Sequence, residues 1–331
     1  MSASANLNQH AAVVYNPVKV DLPHLRASVT AAERAAGWGP THWFETSIAD
    51  SGQAAATNAI AAGASMVITA GGDGTVRAVA EALRESGVSM AIVPSGTGNL
   101  LARNLQLPLG NIDASTAIAF GGVDRAIDLG VASLTTDTGQ AQEHVFLVLA
   151  GLGFDAQMIA HTRSDLKKQV GWLAYVDGAA RALPKARPFR IRYSVAGRVD
   201  RPAQVSAILV ANCGLLPGNL QFLPDARLDD GILDIAVLQP KGMLGWLTIW
   251  RRVTWENGVL RRSAVGRRMI AATESSNERV MTTLRGTDIR IALERPEAFE
   301  LDGDEFGLVR TVRLRADFGA LTVRVPVGSN A

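Results

Sequence analysis

The sequence predicts two domains: an α/β domain built on a parallel sheet, then a mainly antiparallel β-sandwich domain. Three observations lead there. Up to about residue 120, short apolar runs alternate with segments of helical period. Beyond Asp128, period-two alternation takes over. With 331 residues, 47% of them apolar, the chain can fill two cores.

Residues 1–10 are expected to be disordered. Ala11–Tyr15 reads as the first strand and ends at Asn16-Pro17, because proline cannot donate to a ladder. Leu22–Ala36 has a helical pattern. His42–Thr46 is a strand candidate, and Asp50–Gly63 an alanine-rich helix. Met66–Ala70 is an apolar, partly β-branched run, the pattern of a short buried strand. Gly71, Gly72 and Gly74 break it around Asp73, and after Thr75 the residues Val76, Val79 and Leu83 resume helical spacing. Glycines let a backbone approach a ligand closely, and a helix N-terminus offers free N–H groups that suit phosphate. Asp73 does not attract phosphate; in such a turn it suits magnesium or an orienting role. A plain strand-to-helix turn would look the same.

Met90–Val93 repeats the arrangement. Pro94-Ser-Gly96-Thr97-Gly98-Asn99 follows, and Leu100–Leu105 has a helical pattern. Two glycine turns at the ends of successive strands lie side by side in a parallel sheet, where ligands bind. Leu107-Pro-Leu is a break and Ile112–Phe120 a helix. The resulting β-α-β-α order argues for a parallel layer.

Composition excludes several classes. A net charge of +2 is no nucleic-acid signature. Cys213 is the single cysteine, so no internal disulfide framework exists and a reducing, cytoplasmic setting is expected. Met1–Ala12 has no apolar core of a signal peptide, and no run of eighteen apolar residues predicts a membrane span. Five scattered histidines lack zinc spacing, and no Gly-x-x-x-x-Gly-Lys-Ser/Thr loop is present.

Gly71-Gly-Asp-Gly-Thr75, together with Pro94–Asn99 and Ala102-Arg103, resembles the diacylglycerol kinase catalytic-domain family, which includes bacterial lipid kinases and sphingosine kinases. The first motif alone also resembles NAD kinases and phosphofructokinases. The resemblance covers nearly the whole chain. It implies a nucleotide-binding domain over residues 1–128, to which about 312–331 return, and a lipid-substrate domain over 129–311. It implies ATP and Mg2+ as cofactors, with the nucleotide between the domains. Asn16, Thr46, Gly71, Gly72, Asp73, Gly74, Thr75, Gly96, Thr97 and Asn99 would then serve the nucleotide. In the family, serine and glycine usually follow the Asn-Pro; here Val18-Lys19 stands instead. Lys19 could meet a phosphate or be a solvated surface lysine. Arg77 and Arg103 could neutralise developing charge or simply be solvated.

Phe189–Val195 alternates cleanly, as do parts of Gln204–Ala211, Gly231–Leu238, Thr287–Leu293 and Thr311–Arg315. Gly151-Leu-Gly153-Phe-Asp-Ala156 formally matches a dinucleotide fingerprint, but no βαβ repeat follows it. Arg227-Leu-Asp-Asp230-Gly-Ile232 reads as an Asp-Gly turn. The resemblance implies a structural magnesium there, on the Asp230 side chain and the Arg227 and Ile232 backbone carbonyls. Leu301-Asp302-Gly-Asp304-Glu305 matches a family motif whose last acid is the general base. Here that acid is Asp304 where the family has glutamate, so Asp302 or Glu305 could share the role. Leu100 is a second departure, since many relatives carry aspartate there. Their acidic network, which would include Asp128, is then thinner.

The resemblance thus implies a lipid kinase moving the γ-phosphoryl group of ATP to a diacylglycerol-like or sphingoid-like hydroxyl at a membrane surface, with Asp73, Asp302 and Asp304 as catalytic candidates. A soluble-substrate kinase of the NAD kinase type, or a catalytically weak lipid-binding regulator, are the alternatives. A homodimer stays open. Trp246, Leu247, Ile249 and Trp250, then Trp255, with Arg251, Arg252, Arg261, Arg262, Arg267 and Arg268, form a segment that either meets a membrane surface or packs on the second domain.

Overall fold

The computed structural model describes residues 9–153, 188–216, 220–240, 242–251 and 280–328. The expectations placed on residues 1–8, Phe154–Ala156, Arg252, Trp255 and the arginine pairs 261–268 lie outside the described residues, as does the Trp250 side chain. Two compact units are formed, one by residues 1–129 with 318–331, the other by 130–317.

The first unit runs β1 (His10–Tyr15), α1 (Leu22–Ala36), β2 (Gly39–Glu45), α2 (Gln53–Ala61), β3 (Met66–Gly71), α3 (Asp73–Leu83), β4 (Ser89–Pro94), α4 (Leu100–Asn104) and α5 (Ile112–Gly121). Strands β2, β1, β3 and β4 pair in that order, all parallel, and Val323 of the last strand joins parallel to Met90. Every residue of β3 is buried. That explains its unbroken apolar run, because a parallel strand is covered on both faces.

The helices follow local chemistry. Asp21 caps α1 by accepting the His24 N–H at 3.2 Å, and Gly37 closes it at φ +70°. Leu25 and Val29 of α1 pack with Val13, Ile68 and Phe120 in one core cluster. Each such side chain contributes about 1.5–3 kcal/mol by leaving water. Val76, Val79, Ala80 and Leu83 give α3 its buried stripe. This helix begins at Asp73, three residues earlier than its apolar spacing shows, because an acid is favourable in a first turn.

Strand β5 (Val123–Thr136) carries the chain into the second unit, followed by β6 (Ala141–Phe146), β7 (Leu149–Leu152), β8 (Phe189–Val195), β9 (Arg201–Val205) and β10 (Ala207–Ala211). Then come β11 (Leu215–Leu216), β12 (Leu220–Gln221), β13 (Leu233–Leu238), α6 (Gly242–Arg251), β14 (Met281–Gly286), β15 (Asp288–Leu301) and β16 (Asp304–Val325). The order β14-β13-β10-β7-β15-β16 is antiparallel throughout. Strand β8 pairs with β15 and β9 with β8, while β6 pairs with β5. This is a mostly antiparallel β-sandwich unit.

Strands β10 and β13 are buried at every position. Ile208, Val210, Ile235 and Val237 face one core cluster. Leu209, Ala236 and Leu238 face another, which includes Ile249 and the partly buried Trp246 of α6. Trp246 and Ile249 therefore pack on the unit, and Leu247 points outward at 61% exposure. No helix among the described residues is long and apolar enough to cross a membrane.

Candidate active site

In the first unit the two glycine turns are docked against each other. Gly71 ends β3 and Gly72 is the extended residue before α3. A Cβ on Gly71 would stand 2.7 Å from the Thr75 Cβ, so the buried Thr75 occupies that space. A Cβ on Gly96 would stand 2.7 Å from the Gly72 Cα. Backbone thus meets backbone, a contact that glycine alone permits. Ser95 N–H donates to the Gly71 carbonyl at 2.9 Å and continues the ladder into the second turn.

Asp73 ties the pair together. Its Oδ1 accepts the Leu100 N–H at 2.6 Å and its Oδ2 the Asn99 N–H at 2.9 Å. Burial raises the Asp73 carboxyl above its ordinary range, against the pull of the Leu100 and Asn99 amides and of the Lys19 charge. Asn99 sits in the left-handed region at φ +49°, and its side chain closes its own loop. Its Oδ1 accepts the Gly96 N–H and its Nδ2 donates to the Gly96 carbonyl, both at 2.9 Å. Arg103 Nε donates to the Gly98 carbonyl at 2.7 Å, and Arg77 pairs with Glu81 at 3.8 Å. Both arginines therefore have structural partners.

The chain after β1 comes to the same place. Asn16 N–H donates to the Ala70 carbonyl at 2.9 Å, and Asn16 Oδ1 accepts the Val18 N–H at 3.1 Å. The Lys19 N–H donates to the Asn16 carbonyl at 3.1 Å. This tight turn brings the Lys19 ammonium over the first glycine turn, where a Cβ on Gly72 would stand 2.8 Å from Nζ. Among the described residues Lys19 makes no ion pair. The sequence offered Lys19 as a phosphate contact or a solvated surface lysine; its side chain is exposed, with Nζ beside Gly72. Thr46 is buried beside Gly52 and Thr75, while Thr97 is exposed on the second turn. Asp128 is buried, and its Oδ1 accepts the Gly319 N–H at 2.8 Å.

The second unit holds the other candidates. Asp302 and Gly303 form a two-residue hairpin between β15 and β16, both at positive φ, +51° and +88°. The Asp302 carboxylate accepts three successive amides: Leu147 on Oδ2 at 2.7 Å, then Val148 and Leu149 on Oδ1 at 2.8 and 2.9 Å. It is 8% exposed, and its own N–H donates to the Leu149 carbonyl. These three bonds tie the hairpin to the Leu147–Leu149 backbone. Asp304, the first residue of β16, is half-buried next to it, and Glu305 is exposed opposite Glu300.

In the turn before β13, Asp230 Oδ2 accepts Arg285 Nη2 at 2.6 Å, and Arg285 Nε lies 3.1 Å from Asp234 Oδ1. Burial raises the Asp234 carboxyl and the guanidinium lowers it. Nothing in the sequence pattern singled out Arg285; the signal was its place in a strand facing Asp234.

Comparison with known proteins agrees in both units. A model of the diacylglycerol kinase catalytic domain matches residues 10–132, and a model of the YegS C-terminal NAD kinase beta sandwich-like domain matches residues 148–325. A Pseudomonas aeruginosa protein named probable lipid kinase YegS-like is 32% identical over 82% of this chain and 80% of its own length. The Bacillus subtilis diacylglycerol kinase is 27% identical over 73% of this chain and 77% of its own. The crystal structure of a diacylglycerol kinase from Bacillus anthracis superposes with a TM-score of 0.69 at 19% identity, over 99% of this chain and all of that one, a likeness of fold.

Proposed function

The chain belongs to the diacylglycerol kinase catalytic-domain family of lipid kinases, and from that premise we propose that it transfers the γ-phosphoryl group of ATP to a lipid hydroxyl. The observation that carries this is the docking of two glycine turns by Asp73, with the Lys19 ammonium over Gly72. Backbone N–H groups at the start of α3 and a cation above them suit the β- and γ-phosphates. Phosphoryl transfer needs positioning and charge neutralisation more than covalent chemistry.

Each part has a role in this reading. Gly72 and Gly96 let the two turns close on each other. Gly74 keeps the start of α3 free of a side chain where phosphate meets backbone N–H groups, and Thr46, Thr97 and Asn16 line the nucleotide. Magnesium, when bound, would neutralise phosphate charge. Asp73 suits it because each of its oxygens keeps a lone pair beyond the amide it accepts. Asp304 accepts the proton of the lipid hydroxyl as that oxygen bonds the γ-phosphorus and the bond to the leaving ADP oxygen breaks. Asp302, bonded to three backbone amides, holds the hairpin that carries Asp304. Leu100 in place of an acid leaves the Asp73 contact intact, because it is the Leu100 backbone amide that donates.

The lipid lies in a membrane, so the enzyme works at its surface; exposed Leu247 and Arg251 at the end of α6 are the contacts we assign to it. The test is incubation of the full chain with labelled ATP and a lipid extract, against NAD as control acceptor. Label in the chloroform phase supports the reading, and label in NADP with none in lipid overturns it.

A further inference from the structure

The turn before β13 already holds a cation. Asp230 opens it, Gly231 passes it at φ +68°, and Ile232 leads into the strand. Asp230 Oδ1 accepts the Ile232 N–H at 3.1 Å and Oδ2 accepts Arg285 Nη2 at 2.6 Å. The same guanidinium meets Asp234 Oδ1 through Nε. Arg285 and Asp234 are directly opposite across the β13–β14 ladder, so strand register delivers the arginine to both carboxylates.

The donor set does not fit the divalent ion that the family resemblance implies here. Magnesium takes hard oxygen ligands in a tight octahedron at about 2.0–2.1 Å. The turn brings Asp230 and the carbonyls of Arg227 and Ile232, and the neighbouring Asp234 is already bridged to Asp230 through the Arg285 guanidinium. Asp230 differs from Asp73 in what it accepts: one of its oxygens is bonded to a full positive charge, the Arg285 guanidinium. A second cation on that carboxylate would sit within a few ångströms of a guanidinium that cannot lose its proton. The planar fork of arginine, in contrast, spans two carboxylates at once.

We propose that Arg285 takes the place of the structural divalent cation in this chain, locking the Asp230 turn and strand β14 onto β13 without metal. Asp234 depends on it most. That carboxylate is 4% exposed, and its Oδ2 is buried without a hydrogen-bond partner. Arg285 supplies its charge pairing, and a buried carboxylate that loses its cation is strongly destabilising.

The readout is stability of the full chain without nucleotide, so the result is independent of the kinase reading. Wild type, R285M and D230N are melted in EDTA and again with excess magnesium. The expected result is a wild-type midpoint indifferent to magnesium and an R285M midpoint lower by several degrees in EDTA. A wild-type midpoint that rises with magnesium, and loses that rise in D230N, overturns the proposal. So does R285M melting together with wild type. Should R285M fail to fold, the metal content of dialysed wild type against D230N decides: no bound magnesium in either supports the guanidinium, and magnesium in wild type alone refutes it.

Discussion

Asp73 and Leu100 are joined by a 2.6 Å hydrogen bond from the Leu100 N–H to the Asp73 Oδ1, so the first residue of α3 caps the first residue of α4. The consequence is that one carboxylate sets the spacing of both glycine turns. D73A should lower unfolding free energy by about 2–3 kcal/mol, because two amides lose a charged acceptor. It should also weaken nucleotide binding. Urea unfolding checks the first and a fluorescent-nucleotide titration the second; wild-type values in both would separate Asp73 from the site.

Gly96 and Gly72 touch through their backbones. G96A places a methyl group 2.7 Å from the Gly72 Cα, where no flexible side chain can yield. The turns must separate, at about 1–3 kcal/mol of strain, and nucleotide affinity should fall at least tenfold. Isothermal titration with ATP reads this directly. An unchanged affinity in a folded G96A would mean that phosphates bind elsewhere.

Lys19 supplies the positive charge at Gly72. K19M should weaken nucleotide binding by about ten- to a hundredfold, the scale of one charge-assisted hydrogen bond at about 1.5–3 kcal/mol. K19R should retain most of it. K19R should melt with wild type and K19M slightly below it, because Lys19 is exposed but its charge acts on the buried Asp73 carboxyl.

Asp304 and Asp302 should separate by phenotype. D304N should keep its melting temperature and nucleotide affinity and lose about 10²–10⁴ in kcat, the range of general-base catalysis. D302A should lose about 3 kcal/mol or more of stability, because three amides are left without an acceptor. A stable, inactive D302N beside an active D304N would exchange the two roles.

Leu247 and Arg251 lie on the open side of α6. The double variant L247D/R251Q should bind anionic vesicles less than wild type, and the wild-type binding should fall with added salt as surface charges are screened. Vesicle co-sedimentation measures both. Equal, salt-insensitive binding would place the membrane contact on another surface.

Much of this was legible locally. Glycine spacing after Met66–Ala70 and after Met90–Val93 marked two strand-to-helix turns, and both form. Strict alternation in Phe189–Val195 marked β8 to the residue. The tryptophan segment was not legible. Trp246 carries the same side chain whether it meets lipid or core, and packing against β10 and β13 decided for core.

The sequence by itself determined the elements and the chemistry each turn could offer, since strand period, helix period and glycine freedom act over a few residues. Tertiary structure alone decided what each carboxylate holds. Asp73 meets Asn99 across 26 positions, Asp230 meets Arg285 across 55, and Asp302 meets Leu147 across 155. Those distances in the chain are closed by ladder register and by the order of strands. The same aspartate in the same Asp-Gly turn therefore becomes a hairpin post in one place and the partner of a guanidinium in another.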